Sequence, residues 1–569
     1  MNPAQLLDHF DRIGDAPDAI PSLRRFILDL AVRGKLVEQD PREEAAAELL
    51  KRIHAERTRH SNEGAFRKDR AASRDGIDEI PFEVPQSWVW SSLGEVSKYG
   101  IPDKVDSNKK ISANTWVLDL EDIEKDTSRL IERVPSSARP FQSSKTRFKH
   151  GDVLFGKLRP YLNKVLVADT DGVCTTEIVP VRCFCGIAPE YIRLVLKSPL
   201  TMKRIDRLMY GMKMPRLGTD DALALNFPLP PLAEQHRIVA KVDELMALCD
   251  RLETTQVEQE SRRDRLAAAS LHRLNNGADA DAFREHAHFY FNHLPHLTTR
   301  REHIQQVRQA ILNLAVLAKL VPQDANDEPA SELLKIIQAE KARLVKAGEA
   351  KGLKQYFVAA GIDKPFNIPK TWLWISLGDI AFGFRYGTSV KCSYEPTGEP
   401  VLRIPNVDHG RINIEHLKFG ALSVREAEDL RLQLGDILMV RSNGSLNLVG
   451  RPALVESHAV GFCYAGYLVR VRASTIHLDS RYLLLALNTT HVRDQIEIPI
   501  RTTVGLKNIN ARELSNLTIP LPPLAEQHRI VSKVDELMAV CDRLEVKLTT
   551  TQTGSRRLLE AVLHDALTC

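Results

Sequence analysis

Basic, amide and hydroxyl side chains cluster in Gly- and Pro-bounded loops in two separate parts of the chain. Arg and Asn side chains can read guanine and adenine edges through two hydrogen bonds at once, whereas Lys, Ser and Thr commonly hold phosphates. Any single one of these residues is more often an ordinary surface residue, so the clustering is what predicts DNA binding. The predicted DNA-binding residues are Lys157, Arg159, Tyr161, Asn163, Lys164, Lys213 and Arg216 in the first part, and Arg403, Asn406, Arg441, Ser442, Asn443, Asn447, Arg451, Arg501, Thr502, Lys507 and Asn508 in the second.

The sequence lacks the motifs of the common nucleic-acid enzymes. It contains no GxxxxGK[ST] phosphate loop, no HExxH zinc pair and no Asn/Asp-Pro-Pro-aromatic methyltransferase motif. Cys183 and Cys185 have no partner pair at zinc-ligand spacing, so we interpret them as strand residues. The histidines from His286 to His303 are predicted to lie in a solvated connector. We therefore expect no catalytic residue, no metal site and no cofactor bound by this chain.

An internal repeat indicates which elements position these clusters. Residues 228–253, PLPPLAEQHRIVAKVDELMALCDRLE, return as residues 520–545 with two differences in 26 positions. Shorter blocks recur in the same order, among them ILDLAVRGKLVEQD and PFEVPQSWVWSSLGEV of the first half. The inserts between these blocks, which carry the predicted DNA-binding residues, barely agree. Uniform drift after duplication would not keep one block and scramble its neighbours, so we interpret the inserts as having separate specificities.

Each copy of the long block opens a predicted helix of about 40 residues, which would be about 60 Å long. Its apolar residues alternate in steps of four and three, from Ile238 to Leu252 in the first copy and from Ile530 to Val562 in the second. We predict an antiparallel coiled coil between the two helices; burial of each helix against its own domain is the alternative. Shorter helices are predicted at 27–34, where Gly34 ends the helix, and at 43–60, 311–319 and 330–346.

The inserts contain alternating runs such as KVLVA and YLVRVRA between turn residues, which predict short strands. The tryptophan pairs at 88 and 90 and at 372 and 374 are predicted to pack in cores rather than to stack on bases. The predicted fold class is α+β, with two similar mixed, strand-rich domains, long separating helices and an internal pseudo-two-fold repeat. The predicted regions are an N-terminal helical region at 1–76, a first strand-rich domain at 77–230, a central helical region at 231–360, a second strand-rich domain at 361–522 and a C-terminal helix at 523–569.

The composition is ordinary and leaves nucleic-acid binding open. A length of 569 residues suggests roughly four domains. The formal net charge is only +4, so we expect positive potential on the insert loops, offset by acidic helix residues such as Glu234 and Asp535. No apolar run approaches membrane-spanning length, and the eight cysteines show no paired CxxC spacing. We therefore expect a reduced, cytoplasmic protein with no membrane contact.

The doubled PLPPLAEQHRIV block, the two PxxWxWxSLG segments and the two GD-[VI]-L strands resemble the specificity subunit (HsdS) of type I restriction-modification systems over nearly the whole chain. The resemblance implies two target recognition domains, each reading half of a split double-stranded DNA site, and helices that fix the gap between the half-sites. It implies a subunit without a catalytic centre, docked by two modification (methyltransferase) subunits and joined by restriction (translocase/nuclease) subunits.

The resemblance also implies that the partner subunits use S-adenosylmethionine, ATP and Mg²⁺ for adenine methylation and DNA cleavage. One departure concerns the helices. The ILDLAVRGKLVEQD block stands at the start here, where other layouts place equivalent helices later, and this leaves the pairing of the helices open.

Two other functions fit the sequence less well. A single-chain restriction-methylation enzyme would need a methylation motif and nuclease carboxylates, which are not found in the sequence. A coiled-coil scaffold without DNA specificity would tolerate replacement of both inserts by inert domains.

Overall fold

The computed structural model describes residues 16, 18–62, 80–100, 103–106, 111–276, 280–347, 364–498, 501–503 and 506–568. The chain forms two compact units, Met1–Gln259 with Gln552–Cys569, and Glu260–Thr551. Both unit boundaries fall inside long helices, so each unit contains a part of both helices.

The described helices are α1 (Ala19–Val32), α2 (Ala46–Asn62), α3 (Leu93–Val96), α4 (Pro189–Lys197), α5 (Pro199–Leu208), α6 (Thr219–Leu223), α7 (Leu232–Asn276), α8 (Ala280–Leu297), α9 (Arg301–Val316), α10 (Ala330–Lys346), α11 (Leu377–Ile380), α12 (Val424–Leu430), α13 (Ser480–Leu487), α14 (Thr490–Glu497), α15 (Ala511–Ser515) and α16 (Leu524–Thr568). Helices α7 and α16 have 45 residues each, which makes each about 68 Å long. No helix among the described residues is both long and apolar enough to cross a membrane.

The histidine-rich segment is helical, and the predicted solvated connector is wrong. Four of its histidines lie on α8 and His303 lies on α9. Apolar side chains recur along α8 at a helical spacing of four and three and pack with the end of α7: Phe283, Ala287, Tyr290, Leu294 and Leu297. This spacing is visible in the sequence, but the histidines between the apolar residues obscure it.

The first strand-rich domain contains two four-stranded sheets, in the orders β2-β9-β6-β7 and β3-β5-β8-β4. Its strands are β1 (Val89–Ser92), β2 (Ser97–Tyr99), β3 (Lys104–Val105), β4 (Trp116–Leu118), β5 (Lys145–Phe148), β6 (Val153–Gly156), β7 (Val165–Val167), β8 (Gly172–Thr175), β9 (Ile178–Cys183) and β10 (Asn226–Leu229). The first sheet is antiparallel throughout, whereas β4 pairs with β8 in parallel.

The second strand-rich domain repeats this plan with additional strands. Its strands are β11 (Leu373–Ser376), β12 (Ala381–Tyr386), β13 (Glu399–Leu402), β14 (Val407–Asp408), β15 (Gly410–Ile412), β16 (Lys418–Gly420), β17 (Ile437–Val440), β18 (Ser442–Asn443), β19 (Pro452–Leu454), β20 (Cys463–Tyr464), β21 (Leu468–Ala473), β22 (Arg501–Thr503), β23 (Leu506–Asn508) and β24 (Thr518–Leu521). The order β12-β21-β17-β19 matches β2-β9-β6-β7, and β15 and β14 extend it to six strands. The three-stranded sheets β16-β13-β20 and β18-β23-β22 complete the domain. Divergent inserts therefore share a sheet topology.

A two-stranded ribbon closes each domain. Strand β1 pairs antiparallel with β10, which places Trp90 opposite Pro228. Strand β11 pairs with β24 in the same way, with Trp374 opposite Pro520. The two blocks that recur in both halves of the sequence are thus neighbours where the chain enters and leaves the domain. Trp88, Trp372 and Trp374 are buried and Trp90 is half-buried, so core packing is confirmed for three of the four tryptophans in the predicted pairs.

A buried polar joint attaches each long helix to its domain. Glu526 accepts hydrogen bonds from the Trp372 indole (2.8 Å) and from Gln323 (2.5 Å). Burial raises the pKa of Glu526. In the first unit, Glu234 accepts from Gln39 (2.7 Å) and is also buried. Glu234, which the sequence predicts to be one of the acidic helix residues that offset the loop charge, has its carboxylate enclosed within the joint.

In the first unit, α1 runs antiparallel to the beginning of α7. Arg24 on α1 forms an ion pair with Asp250 (2.6 Å), whereas Gln39, beyond the end of α1, reaches back to Glu234 near the start of α7. The predicted seam residues Ile238, Val242 and Cys249 are buried in the same cluster as α1. The seam ends there, because Leu252 is 39% exposed.

The same helix α1 runs parallel to the end of α16. Asp18 pairs with Arg556 (3.5 Å), and Lys35 donates to the carbonyl of Leu567 (2.7 Å). Because α1 is antiparallel to α7 and parallel to α16, the two long helices run in opposite directions in this unit. The predicted antiparallel course is therefore present, with α1 packed against both seams.

The second unit has the same arrangement around α9. This helix runs antiparallel to the beginning of α16 and parallel to the end of α7. The defining contacts are Arg308 to Asp542 (2.6 Å), Arg529 to Asp327 (2.6 Å), His303 to Asp264 (2.8 Å) and Lys319 to the carbonyl of Asn275 (3.0 Å).

Candidate DNA interface

The first cluster of predicted DNA-binding residues is brought together by two segments, loop 1 (residues 157–164) and hairpin 1 (residues 210–216). Loop 1 connects β6 to β7, and hairpin 1 follows α5. Leu158 and Arg216 form an isolated β-bridge. The amide of Arg159 donates to Pro215 (2.7 Å), and the amide of Leu217 donates to Lys157 (3.1 Å). The two basic sets, about 50 residues apart in sequence, thus form one surface.

The second domain builds an equivalent surface from loop 2 (residues 441–451), which connects β17 to β19, and hairpin 2 (residues 501–503 and 506–508), which consists of β22 and β23. Strand β18 of loop 2 pairs with β23, with Ser442 opposite Asn508 and Asn443 opposite Lys507. The amide of Ile509 donates to the carbonyl of Arg441 (3.0 Å). This bond is the counterpart of the bond from Leu217 to Lys157 in the first domain.

Some predicted residues of loop 1 and hairpin 1 are exposed, whereas others are hydrogen bonded within the fold. Arg159, Tyr161 and Lys213 are exposed. Lys164 donates to the carbonyl of Leu120 (2.7 Å), and burial lowers its pKa. Arg216 forms a two-point ion pair with Glu177 through Nε (3.0 Å) and Nη2 (3.2 Å), and this pair raises its pKa. Asn163 is half-buried and has a left-handed backbone, with φ of 51°.

The predicted residues of loop 2 and its surroundings also divide into two groups. Asn443 is half-buried and Asn447 is exposed, whereas Ser442 is buried. The guanidinium of Arg441 stacks over the ring of Tyr386, 4.4 Å from its centroid. Arg451 lies 3.6 Å from the Asp408 carboxylate. Lys507 and Asn508 lie half-buried on β23.

The segment around Arg403 and Asn406 reaches the same region through a cleft of about 480 Å³, lined by residues that include Pro405, Asn443 and Arg451. Asn406 itself is buried. Its amide donates to the carbonyls of Asn413 (2.9 Å) and Glu415 (3.1 Å) and accepts from the amide of Arg403 (2.8 Å). We predicted that Asn406 contacts DNA, but here its amide is used to hold the loop. Its type alone does not reveal this, because an Asn that caps a turn and an Asn that reads a base look identical in sequence.

Two predicted residues fall partly outside the described part of the chain. The backbone of Arg501 and Thr502 forms β22 and pairs with Asn508 and Lys507. Their side chains lie outside the described residues.

Sequence reasoning missed several exposed apolar side chains on these surfaces. Tyr210, Met212 and Met214 are exposed on hairpin 1, with Met212 fully so. In the second domain, Tyr394 is exposed and lies under Lys418, whose Nζ is 4.7 Å from the ring centroid. Alternating apolar residues such as those of YGMKM occur in half-buried strands as well as in exposed hairpins, so residue types alone do not reveal this exposure.

The basic residues of α5 form a separate cleft of about 450 Å³. Lys203, Arg204 and Arg207 line it together with Leu225 and with Asn226, the first residue of strand β10. In the sequence these three residues come shortly before hairpin 1, but the fold places them on a helix face beside β10.

No group of three or more His, Cys, Asp or Glu side chains within the described residues is arranged to hold a metal ion. The cysteines of the described part are free thiols. Burial raises the pKa of Cys183 to about 12 and that of Cys185 to about 11, so both are protonated near neutral pH.

The chain is similar to two relatives from Escherichia coli along nearly its full length. It is 31% identical to the type I restriction enzyme EcoAI specificity subunit, covering 96% of this chain and 94% of the relative. It is 32% identical to the EcoEI specificity subunit, with the same coverage of both chains. The chain belongs to the type I restriction enzyme specificity subunits.

Two further comparisons agree with this membership. The family model of the type I restriction modification DNA specificity domain matches residues 369–551, which is the second strand-rich domain of this specificity subunit and the beginning of α16. A solved chain from a study of complex assembly and conformational transition of the type I R-M system has a similar fold, with a TM-score of 0.50 at 21% identity, covering 86% of this chain and 99% of that chain. The resemblance found in the sequence and the α+β fold class are confirmed.

Proposed function

We propose that this specificity subunit reads a bipartite double-stranded DNA target, with one recognition domain for each half-site. The first recognition domain comprises residues 77–230 and the second residues 361–522. The helical regions at 1–76, 231–360 and 523–569 set the gap between the half-sites and dock two methyltransferase subunits. Restriction subunits join this complex. S-adenosylmethionine, ATP and Mg²⁺ serve the partner subunits, and catalysis is theirs.

One observation carries this proposal. A loop and a hairpin are joined by the same backbone hydrogen bond in both domains, from Leu217 to Lys157 and from Ile509 to Arg441, yet the side chains they present differ. A shared backbone bond that holds different donors and acceptors in place is what two readers of different base sequences require.

The exposed residues of each surface are the proposed DNA contacts. In the first domain these are Arg159, Tyr161 and Lys213. In the second, the exposed Asn447 has a side-chain amide suited to an adenine edge, whereas the Oδ1 of Asn443 already accepts from the amide of Ser445 (2.9 Å). Residues already bonded within the fold, such as Arg216, position the surface rather than read bases.

A domain exchange tests the modular part of the proposal. Residues 361–522 are replaced by the corresponding segment of a relative of different specificity, and methylated adenines are mapped across the genome of cells that carry the modification subunits. We expect one half of the methylated motif to change and the other half, with the gap, to stay. A change in both halves, or in neither, would contradict one-domain-per-half-site reading, and a scaffold without specificity would leave the whole motif unchanged.

A heptad insertion tests the role of the helices. Residues 251–259 of α7 are exposed on every side, so seven residues added there disturb no core. The same insertion is made among the exposed residues near 549–551 of α16. Seven residues add about 10 Å, close to three base pairs, and we expect the mapped gap to lengthen while both half-site sequences persist. Altered half-site bases at an unchanged gap would refute the proposal that the helices set the gap.

A further inference from the structure

A half-buried lysine of the first domain donates hydrogen bonds to the turn that supports loop 1. Lys197, the last residue of α4, donates from Nζ to the carbonyls of Asp126 and Thr127, both at 2.9 Å, and to Oγ of Ser128 at 2.8 Å. An ammonium group has three donors, so all three are used. Lys197 therefore fixes the position of the turn at residues 126–128.

The turn at residues 126–128 holds the end of loop 1. The amide of Asp126 donates to the carbonyl of Leu162 (3.0 Å). The hydroxyl of Ser128 donates to the carbonyl of Asn163 (2.8 Å) and accepts from the amide of Val165 (3.0 Å). Asp126 and Ser128 have positive φ angles of 63° and 61°, a conformation that is costly for these residues unless other contacts impose it. Lys197 supplies such contacts.

In the second domain an arginine holds loop 2, from a helix position that does not correspond to that of Lys197. Arg493 on α14 donates from Nη1 to the carbonyl of Val449 (2.5 Å) and from Nη2 to the carbonyl of Leu446. These carbonyls belong to the single 3-10 turn of loop 2, Leu446–Leu448, and the residue after it. The planar guanidinium can span two carbonyls three residues apart, which a point-like ammonium cannot. Glu497 holds the Arg493 side chain in place through an ion pair one turn further along α14.

We propose that Lys197 and Arg493 are specificity-determining positioning residues, each of which holds one recognition loop in its DNA-reading shape and so controls discrimination at one half-site only. This rests on the proposed assignment of one domain to each half-site. Neither side chain contacts the base pairs itself. Lys197 acts on loop 1 through the turn at residues 126–128, and Arg493 acts directly on carbonyls of loop 2. The loss of either side chain therefore relaxes a loop without removing any group that reads the DNA.

The test uses the assembled modification enzyme and duplexes that carry the mapped target, or the target with one base pair changed in either half-site. Discrimination is the ratio of Kd for the changed duplex to Kd for the target. We expect Lys197→Met to lower discrimination at the first half-site about tenfold, the effect of losing charged hydrogen bonds, and to change the second by less than twofold. Arg493→Met should do the reverse. Affinity for non-target DNA should change by less than twofold in both.

Matched controls separate positioning from charge. Lys125→Met removes an exposed positive charge whose ion pair with Asp126 of the same turn is long (3.7 Å). Arg481→Met removes an exposed charge of α13 that pairs with Asp535 (2.6 Å). Exposed ion pairs contribute little, so neither variant should alter discrimination at either half-site. Arg493→Lys keeps the charge but not the two-carbonyl geometry, and should lose most of the discrimination that Arg493→Met loses. If Lys197→Met does not assemble, Lys197→Arg carries the same test with the charge retained.

The possible outcomes test the positioning role of Lys197 and Arg493 separately from the proposed reading of one half-site by each domain. Equal loss at both half-sites, or no loss at either in a folded variant, would overturn the positioning role and leave half-site reading intact. If a base change cannot be assigned to either half because the methylated motif is not split, the proposed function itself fails.

Discussion

The buried glutamine of each joint is predicted to be a principal link between long helix and recognition domain. Gln527 is fully buried. Its Nε2 donates to the carbonyl of Pro522 (3.0 Å), and its Oε1 accepts from the amide of Asp479 at the start of α13 (3.0 Å). Gln235 makes the same two bonds, to Pro230 and from Ala188, both at 3.1 Å.

Gln527→Ala removes both partners at once. The carbonyl of Pro522 is buried and would stay unpaired, which costs about 2 kcal/mol, and the partly exposed amide of Asp479 adds about 1 kcal/mol. We therefore expect the free energy of unfolding of the second unit to fall by about 3 kcal/mol. Gln527→Glu keeps the acceptor but turns an oxygen toward the Pro522 carbonyl, so it should be at least as damaging.

Urea denaturation followed by hydrogen exchange on peptides of each unit measures the effect where it arises. Thr550→Ala, at an exposed position of the same helix, is the control and should change stability by less than about 0.5 kcal/mol. Gln235→Ala and Gln527→Ala lie in different units, so their losses should add. A loss below about 1 kcal/mol for both alanine variants would mean that water satisfies the backbone groups left without the glutamine. It would refute the role of the glutamines as principal links between helix and domain.

Two further predictions follow from local geometry. Gly34 has a φ of 69° and a Cβ there would lie 2.5 Å from Pro85, so Gly34→Ala should destabilise the first unit by about 2 kcal/mol in urea denaturation, whereas Ala318→Gly, at the equivalent position with a φ of 55°, should raise stability by up to about 1 kcal/mol. Burial lowers the pKa of Lys197 to about 7, so its ammonium loses a proton and a donor between pH 6 and pH 8; discrimination at the first half-site should fall over this range and that at the second, held by Arg493, should stay level. Equal pH profiles at the two half-sites would count against the lysine contact.

The repeat blocks predicted the frame of the fold well, because each block is a self-contained signal. The long seam required a helix, and the paired tryptophan and proline blocks proved to be the two strands of one closing ribbon. The helix predicted at 330–346 has the observed bounds, and Gly34 has the positive φ expected beyond the end of α1.

The candidate site was less predictable, because sequence gives residue types but not their partners. The residues that cluster in each insert lie on segments that the fold brings together, loop 1 with hairpin 1 and loop 2 with hairpin 2, and their contact with DNA stays a prediction. It did not separate Arg159, which is exposed, from Arg216, which is bonded to Glu177. It also gave no sign of Lys197 or Arg493, since each acts on backbone carbonyls that any sequence provides.

Hydrogen bonds to backbone groups also explain how the near-identical repeat blocks can hold divergent inserts. Gln235 and Gln527 bind the backbone amides of Ala188 and Asp479, residues of unlike type at matching helix starts. Tyr191 and Tyr482, three residues further along, each donate to a proline carbonyl of the closing ribbon, at 2.9 and 2.7 Å.

At these joint positions the frame recognises the backbone at the start of a helix rather than the side chains of the insert. An insert with a new set of DNA-facing residues therefore fits the joint as long as it presents that helix start and its tyrosine. This backbone recognition lets the recognition surface change without loss of the attachment to the long helices.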